Sequence, residues 1–554
     1  MSADESTDIQ NDIKSVAPTT RRVFSTLLAE QEVHLAREVF NLIGEPLDVW
    51  AVAAALESLG LRDIDAIKQY QRHDLFTLAE RVLYLIHVDA ERTRPEQGPP
   101  EPPKRENKLA RALLFYFKGA WAALPMAGQI ASVLLLRYSL WAWVDFTEAQ
   151  ATVVAIGTIL SFIVTGGFIQ SIGREGVRYA GHKNYFLAQQ ITLKIIAAAT
   201  VVVLLAGTAL YLLNLIIPYY DNRLVLISLM YFVLLSELWL FSSLAYVLDK
   251  QFAVFVFTMA GVIPVYLVME YTRLGIYVAH AAGMSTAIVL TAAYTIFILR
   301  RRAKRTDTFL KSSRLPHPPV RVYTVAPYFV YGFLYFFNLF VDRIVSWSAP
   351  NPEPPPYIIW FRTSYELGMD WALLSLVLTM AALEYMIHEF SYHQIFQQRS
   401  VRNDDAGAYI MFYKKFFVRH LAAILSIGVL SIMVTYFGVL SLQRFDYIRE
   451  VREFFSNVVT FQVFWAAAFG YFFLALGLYN CLFFFTLSRP EFAIRSIVAG
   501  LGVNVVVSLL LSRWIHYEYG VGGLVFGSLV FALMTMNYAR QFFNKLDYYY
   551  YAAY

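Results

Sequence analysis

The sequence predicts an all-α polytopic membrane protein, with twelve transmembrane helices in two six-helix lobes preceded by a small soluble helical domain. Three observations carry this expectation. Of 554 residues, 58% are hydrophobic and only 16% charged, and the mean hydropathy is +0.49, whereas an average soluble domain carries about 25% charged residues. The apolar residues come in blocks of about 20 to 30, the length of helix that crosses a hydrocarbon core of about 30 Å. The charge is also unevenly divided. Residues 1–95 hold sixteen acidic and ten basic side chains, and the remainder holds 25 acidic and 36 basic ones. A mildly acidic soluble piece thus precedes a basic membrane piece. The single Cys481 lies in an apolar run, which excludes a disulfide framework and a cysteine metal site.

The opening MSADESTDIQNDIKSVAPTT is polar and acidic. It has neither a basic n-region nor an apolar h-region, so residues 1–21 read as a disordered lead and not as a signal peptide. Over residues 22–93 the apolar positions recur at helical spacing. Val33, Leu35, Val39, Phe40 and Leu42 form one set, and Val49, Val52, Ala55, Leu56 and Leu59 a second that ends at Gly60. Ile64, Ile67, Tyr70, Leu75, Leu78, Val82, Leu83 and Ile86 form a third. This is the pattern of a small cytoplasmic helical bundle. The run RPEQGPPEPPKREN carries five prolines and makes residues 94–109 a stiff extended linker.

Spans are expected at 112–140, 149–172, 190–217, 222–247, 251–270 and 274–299 in the first lobe, residues 110–299. The second lobe, residues 323–540, has them at 323–347, 366–390, 417–440, 460–487, 491–512 and 517–540. A basic connector, 300–322, separates the lobes, and a tyrosine-rich tail, DYYYYAAY, lies within 541–554. Lys104, Arg105, Lys108 and Arg111 precede the first span. Arg174, Arg178 and Lys183 follow the second, Arg300 to Arg321 the sixth, and Arg399, Arg402, Lys414 and Lys415 the eighth. The opposite connections are poorer in basic residues, although Arg444, Arg449 and Arg452 run against the trend. Cytoplasmic loops carry the Lys/Arg excess, so both termini are expected in the cytoplasm of an inner-membrane protein. Six plus six spans is a layout of secondary transporters whose two lobes rock against each other.

No phosphate loop, GxSxG elbow, HExxH or paired DxD occurs, and the ten histidines show no metal-ligand spacing. A transporter without catalytic residues, cofactor, metal or nucleic-acid partner is therefore expected. Ionisable residues at membrane depth are the functional candidates, because each is costly there. Glu237, in LLSELWLF, lies roughly 22 Å along the fourth span. Two readings of it stand: a proton or substrate site facing a cavity, and an acid paired with Lys118 or Lys194. Asp342 and Arg343 close the seventh span in FFNLFVDRIVSW, and Glu366 and Asp370 open the eighth in SYELGMDWALL. These four line a mouth that grips a sugar or charged polymer, or else they form an interfacial ion pair with snorkelling Arg343 beside Trp347. At the inner end of the eighth span, Glu384, His388 and Glu389 are candidates for proton coupling. The i, i+4 spacing puts Glu384 and His388 on one helix face; a solvated helix end is the plainer reading. Asn480 and Asn504 read as interhelical hydrogen-bonding groups.

Around the seventh and eighth spans the residues become specific. YGFLYFFNLFVDRIVSW, PYIIWFRTSYELGMDWALLSLVL and EYMIHEFSYHQIF resemble the PelG family of exopolysaccharide exporters, within the multidrug/oligosaccharidyl-lipid/polysaccharide (MOP) flippase superfamily. The resemblance rests on the Asp342–Arg343 pair before Trp347, on Tyr365–Glu366, and on Glu389–Phe390 with Tyr392. It covers about residues 331–396 closely and 110–545 loosely. It implies a MATE-like pair of lobes around a central cavity, alternating access, and a polysaccharide or glycolipid substrate in the lipid bilayer. It also implies a cytoplasmic glycosyltransferase and inner-membrane export or regulatory subunits as partners; the acidic surface and stiff linker of the added N-terminal bundle suggest that the bundle docks one of them. The alternatives are a cation-coupled small-molecule exporter of the same superfamily and a membrane scaffold for a polysaccharide synthase complex.

Overall fold

The computed structural model describes residues 18–43, 46, 48–92, 116, 119–121, 124–306, 315, 318–350, 355–400, 406–443 and 456–545. The acidic lead up to residue 17, the proline-rich linker, parts of the basic connector and the tyrosine-rich end of the tail lie outside the described residues. The chain divides into two compact units, one of residues 1–107, 390–415 and 542–554, the other of residues 108–389 and 416–541.

In the first unit, four helices form a bundle: α1 (Pro18–Ile43), α2 (Val49–Ser58), α3 (Asp63–Tyr70) and α4 (Leu75–Arg92). The first begins at Pro18, inside the stretch expected as lead. Helix α2 starts because Asp48 accepts a hydrogen bond from the Ala51 amide at 2.8 Å, satisfying a donor that the first turn leaves free. Leu35, Val39, Val52, Leu56, Leu78 and Val82 make the core. Glu32 is buried in it and binds two cations, Arg72 Nε at 2.9 Å and Arg81 Nε at 3.2 Å. Both arginines are only about two-thirds buried, so water screens part of this attraction.

Among the described residues, the second unit holds twelve largely apolar helices. Six form the first lobe: α5 (Leu124–Leu136), α6 (Glu148–Gly181), α7 (Tyr185–Ile216), α8 (Asn222–Val247), α9 (Gln251–Tyr271) and α10 (Ile276–Lys304). The second lobe has α11 (Pro318–Trp347), α12 (Thr363–Ser400), α13 (Ala406–Gln443), α14 (Val458–Thr486), α15 (Pro490–Trp514) and α16 (Val521–Asn544); the ends of α12, α13 and α16 extend into the first unit. Among the described residues, eleven are long and apolar enough to cross a membrane, while α5 has 13 residues.

Helix α5 is shorter than the predicted 112–140 span at its far end for a visible reason. At Arg137 the backbone turns left-handed (φ +69°), and residues 138–143 fold into a hairpin closed by the Tyr138–Trp143 bridge. Gln129 of α5 accepts the Leu140 amide at 2.7 Å. Tyr138, Ser139 and Leu140 are buried among α8, α9 and α10.

The lobes touch along α6 and α11. In lipid there is little hydrophobic drive between helices, so small residues that admit close backbone approach take over. A Cβ on Gly166 would lie 2.8 Å from the Gly332 carbonyl, and one on Gly332 would strike the Gly166 carbonyl. Burial then sorts the helices by role: α14 is 67% buried across its apolar window and α7 only 22%, so α7 presents its leucines and valines outward.

Two outcomes are expected. Gly332→Val should lower the melting temperature of the detergent-solubilised protein through overpacking worth about 1–3 kcal/mol, with Gly332→Ala intermediate. Glu32→Gln should increase hydrogen exchange throughout α1 and α4, corresponding to a loss of roughly 1–2 kcal/mol once exposure of both arginines is allowed for.

Candidate functional site

The candidate site grows from a polar stripe on α11. Asn338, Asp342 and Ser346 follow one another at i, i+4 spacing, and each is fully buried, so one face of an otherwise apolar helix turns into the second lobe. Asn338 is held from α15, where Asn504 Nδ2 donates to its backbone carbonyl at 2.9 Å. Ser508, one turn along α15, donates to Asn504 Oδ1 at 3.1 Å. Asn480 of α14 likewise donates to the Thr535 hydroxyl of α16 at 3.1 Å.

One turn above Asn338 lies the charge cluster. Arg343 is 5% exposed. Its Nη1 donates to Glu366 Oε2 at 2.5 Å and to Asp370 Oδ1 at 2.9 Å, both on α12. Its Nη2 donates to the Tyr471 hydroxyl of α14 at 3.2 Å. Glu366 accepts a second bond, from Trp347 Nε1 at 2.8 Å. Beside it, the Tyr365 hydroxyl donates to Asp342 Oδ2 at 2.9 Å. Three carboxylates and one guanidinium leave the group acidic. Two carboxylates are buried, but the Asp370 side chain is 60% exposed. The cluster also keeps unused polar capacity: Asp342 Oδ1, Arg343 Nε and Ser346 Oγ are buried without a hydrogen-bond partner among the described residues.

The structure therefore brings Asp342, Arg343, Glu366 and Asp370 together, with Arg343 paired to Glu366 and Asp370 inside the lobe. Arg343 is buried, and Trp347, 1% exposed, donates its N–H to Glu366. The other candidates lie elsewhere. Glu384 and Glu389 sit on α12 near its other end, Glu384 18 residues or about 27 Å of helix from Glu366; Glu384 faces Gly119. Glu389 is buried. His388 lies on the same helix, with its side chain outside the described residues. Glu237 occupies the first lobe, on α8, where Thr200 stands beside its carboxylate and Oε1 is buried without a partner. Among the described residues it makes no ion pair; Lys194 is exposed, and Lys118 lies outside them.

Two features escaped the sequence reading. Tyr471 sits in WAAAFGYFFLAL, where nothing marks one aromatic as a ligand of arginine. In the first lobe, His280 is fully buried on α10, with Nδ1 2.5 Å from the Tyr231 hydroxyl. A histidine inside an apolar span was the available signal for it.

The model of the PelG family, described as a putative exopolysaccharide exporter (EPS-E), matches residues 105–551. The chain belongs to the PelG family. The match begins after the four-helix bundle of this PelG-family chain, so α1–α4 lie outside the shared region. No curated protein sequence matches it. Among solved structures it is similar to a MATE transporter in the bent conformation (TM-score 0.55, 11% identity, 80% of this chain and 97% of that one). It is also similar to a mutant of the Vibrio cholerae MATE transporter VcmN (0.54, 12%, 80% and 98%), and to an outward-facing multidrug-resistance MATE transporter of the MOP superfamily (0.51, 10%, 80% and 98%). At such identities the likeness shows the fold: this PelG-family protein has the two-lobed MATE architecture. Family and fold are those of a multi-pass membrane transporter.

The cluster makes a stability statement that can be checked. Arg343→Met strands buried carboxylates and should destabilise the protein by about 3–5 kcal/mol. Adding Glu366→Gln should recover a measurable part of that loss, read as non-additive thermal shifts in detergent.

Proposed function

We propose that this PelG-family protein moves an exopolysaccharide, a Pel-like polymer or lipid-linked glycan, from the cytoplasm to the outer face of the inner membrane. In this reading both termini are cytoplasmic, and the lobes open alternately around a cavity between them. The observation that carries the reading is the α11–α12–α14 cluster: an acidic group anchored by one buried arginine, with Asp370 left exposed. Carboxylates accept hydrogen bonds from sugar hydroxyls, and charge-assisted bonds are the stronger kind. Asp370 is the contact that the glycan meets first, and Arg343 sets its orientation.

Glu237, Glu384, His388 and Glu389 are the coupling candidates, each ionisable and within or at the end of a span. The acidic α1–α4 bundle docks a cytoplasmic glycosyltransferase or regulatory subunit, and the chain itself carries out no catalysis. The exposed Trp50 (71%), in edge contact with Phe76 at 4.7 Å, supports docking there.

Deleting the gene should lower surface polysaccharide at least tenfold without changing drug sensitivity. Asp370→Asn should restore the membrane protein but only a few per cent to a third of the secretion. Unchanged polysaccharide with altered drug resistance would instead favour a small-molecule exporter. Full secretion from Asp370→Asn and Glu237→Gln chains alike would favour the scaffold.

A further inference from the structure

A strap of lobe-two residues crosses to lobe one at the end that carries the charge cluster. Residues 355–362 form the part of the α11–α12 connection that leads into α12, and four of them reach the first lobe. The Tyr220 hydroxyl, from the α7–α8 connection, donates to the Ile359 carbonyl at 2.7 Å and accepts the Ile359 amide at 3.2 Å. The Tyr357 hydroxyl donates to Asp221 at 3.2 Å, and its ring stacks on Tyr220 at 4.8 Å. Trp360 Nε1 donates to Glu148 at 2.9 Å. The Phe361 amide donates to Thr152 Oγ1 at 3.0 Å. Burial raises the Tyr220 hydroxyl to about 12, so it remains a donor at any physiological pH.

The same strap is fastened to the cluster. The Trp360 amide donates to the Trp347 carbonyl at 3.0 Å, and the Phe361 ring lies 5.4 Å from the Trp347 ring. The indole N–H of Trp347 in turn holds Glu366, which holds Arg343. Trp347 is thus bonded at once to the strap and to the acid that neutralises Arg343.

We propose that residues 357–361 are a latch holding the two lobes shut at this end, and that Trp347 couples its release to the state of the charge cluster. The geometry stands by itself; only the purpose, releasing cargo on the outer side, rests on the transporter reading. The inter-lobe bonds of the strap are neutral hydrogen bonds, each worth roughly twofold to tenfold in an equilibrium, and bonds to the Asp221 and Glu148 carboxylates, each worth about tenfold or more. They are strong enough to hold and weak enough to exchange. A ligand that draws the Glu366 carboxylate off the Trp347 indole N–H frees that ring and loosens the root of the strap.

The test uses the full chain in nanodiscs, in a Cys481→Ser background, with spin labels on Arg223→Cys and Val458→Cys, one at this end of each lobe. The unaltered strap should give one short inter-label distance. Tyr220→Phe with Trp360→Phe should raise the population of a longer distance by about tenfold or more, and Glu366→Gln should shift it the same way. Superimposable distributions in the strap variant overturn the latch; superimposable distributions in Glu366→Gln overturn the coupling. A Thr152→Cys/Phe361→Cys disulfide should cut polysaccharide export at least tenfold and release it on reduction, and undiminished export with the disulfide formed also overturns the latch. If the distances shift as expected while the unsubstituted protein exports no polysaccharide, the transporter reading fails and the latch stands.

Discussion

A guanidinium held inside a bundle of apolar helices constrains everything around it. Taking a charge from water into such surroundings costs several kcal/mol even after relaxation, and only closely set partners return it. Arg343, on α11, obtains those partners from two other helices: the acids of α12 and the Tyr471 hydroxyl of α14. A slip of one residue in any of them would swing its group through about 100° and leave the charge unmet. The register of half the second lobe is therefore fixed by one side chain, and the apolar contacts fill in around it.

The rest of the membrane region obeys a different rule. Where hydrocarbon surrounds both partners, apolar burial does not choose between them, so helices meet through small residues and short polar side chains. Gly166 against Gly332 and Asn504 against Asn338 are examples from opposite sides of α11. One of these joins the lobes and the other sits inside lobe two. Ties inside a lobe run through buried side chains, whereas the ties at the strap end run through connections and the first turns of helices. That difference sets the seam at this end apart from the interior of each lobe.

The helical class was legible because length and hydropathy act locally: a run such as TLKIIAAATVVVLLAGTALYLLNLI can satisfy its backbone in lipid only as a helix. Grouping Asp342, Arg343, Glu366 and Asp370 was legible too, since they flank a single connection. What the sequence concealed is set by neighbours distant in the chain. Tyr471 lies 128 residues from Arg343, in a stretch with no polar period. The shortening of α5 came from a turn of ordinary composition, since SLWAW contains no proline or glycine to announce it. Of the two lysines that depth along the helix offers Glu237, Lys194 is exposed and Lys118 lies outside the described residues; depth does not reveal azimuth.

The folded hairpin after α5 makes the lobes unequal. In the first lobe the tip of that hairpin, Leu140, fills the space between α9 and α10 like a stopper. In the second lobe, α11, α12 and α14 are instead tied together by carboxylates, a guanidinium and phenols. One half of the machine is corked with hydrocarbon and the other wired with charge. The asymmetry is one of filling: a single apolar side chain seats the helices of the first lobe, and a charged network seats those of the second.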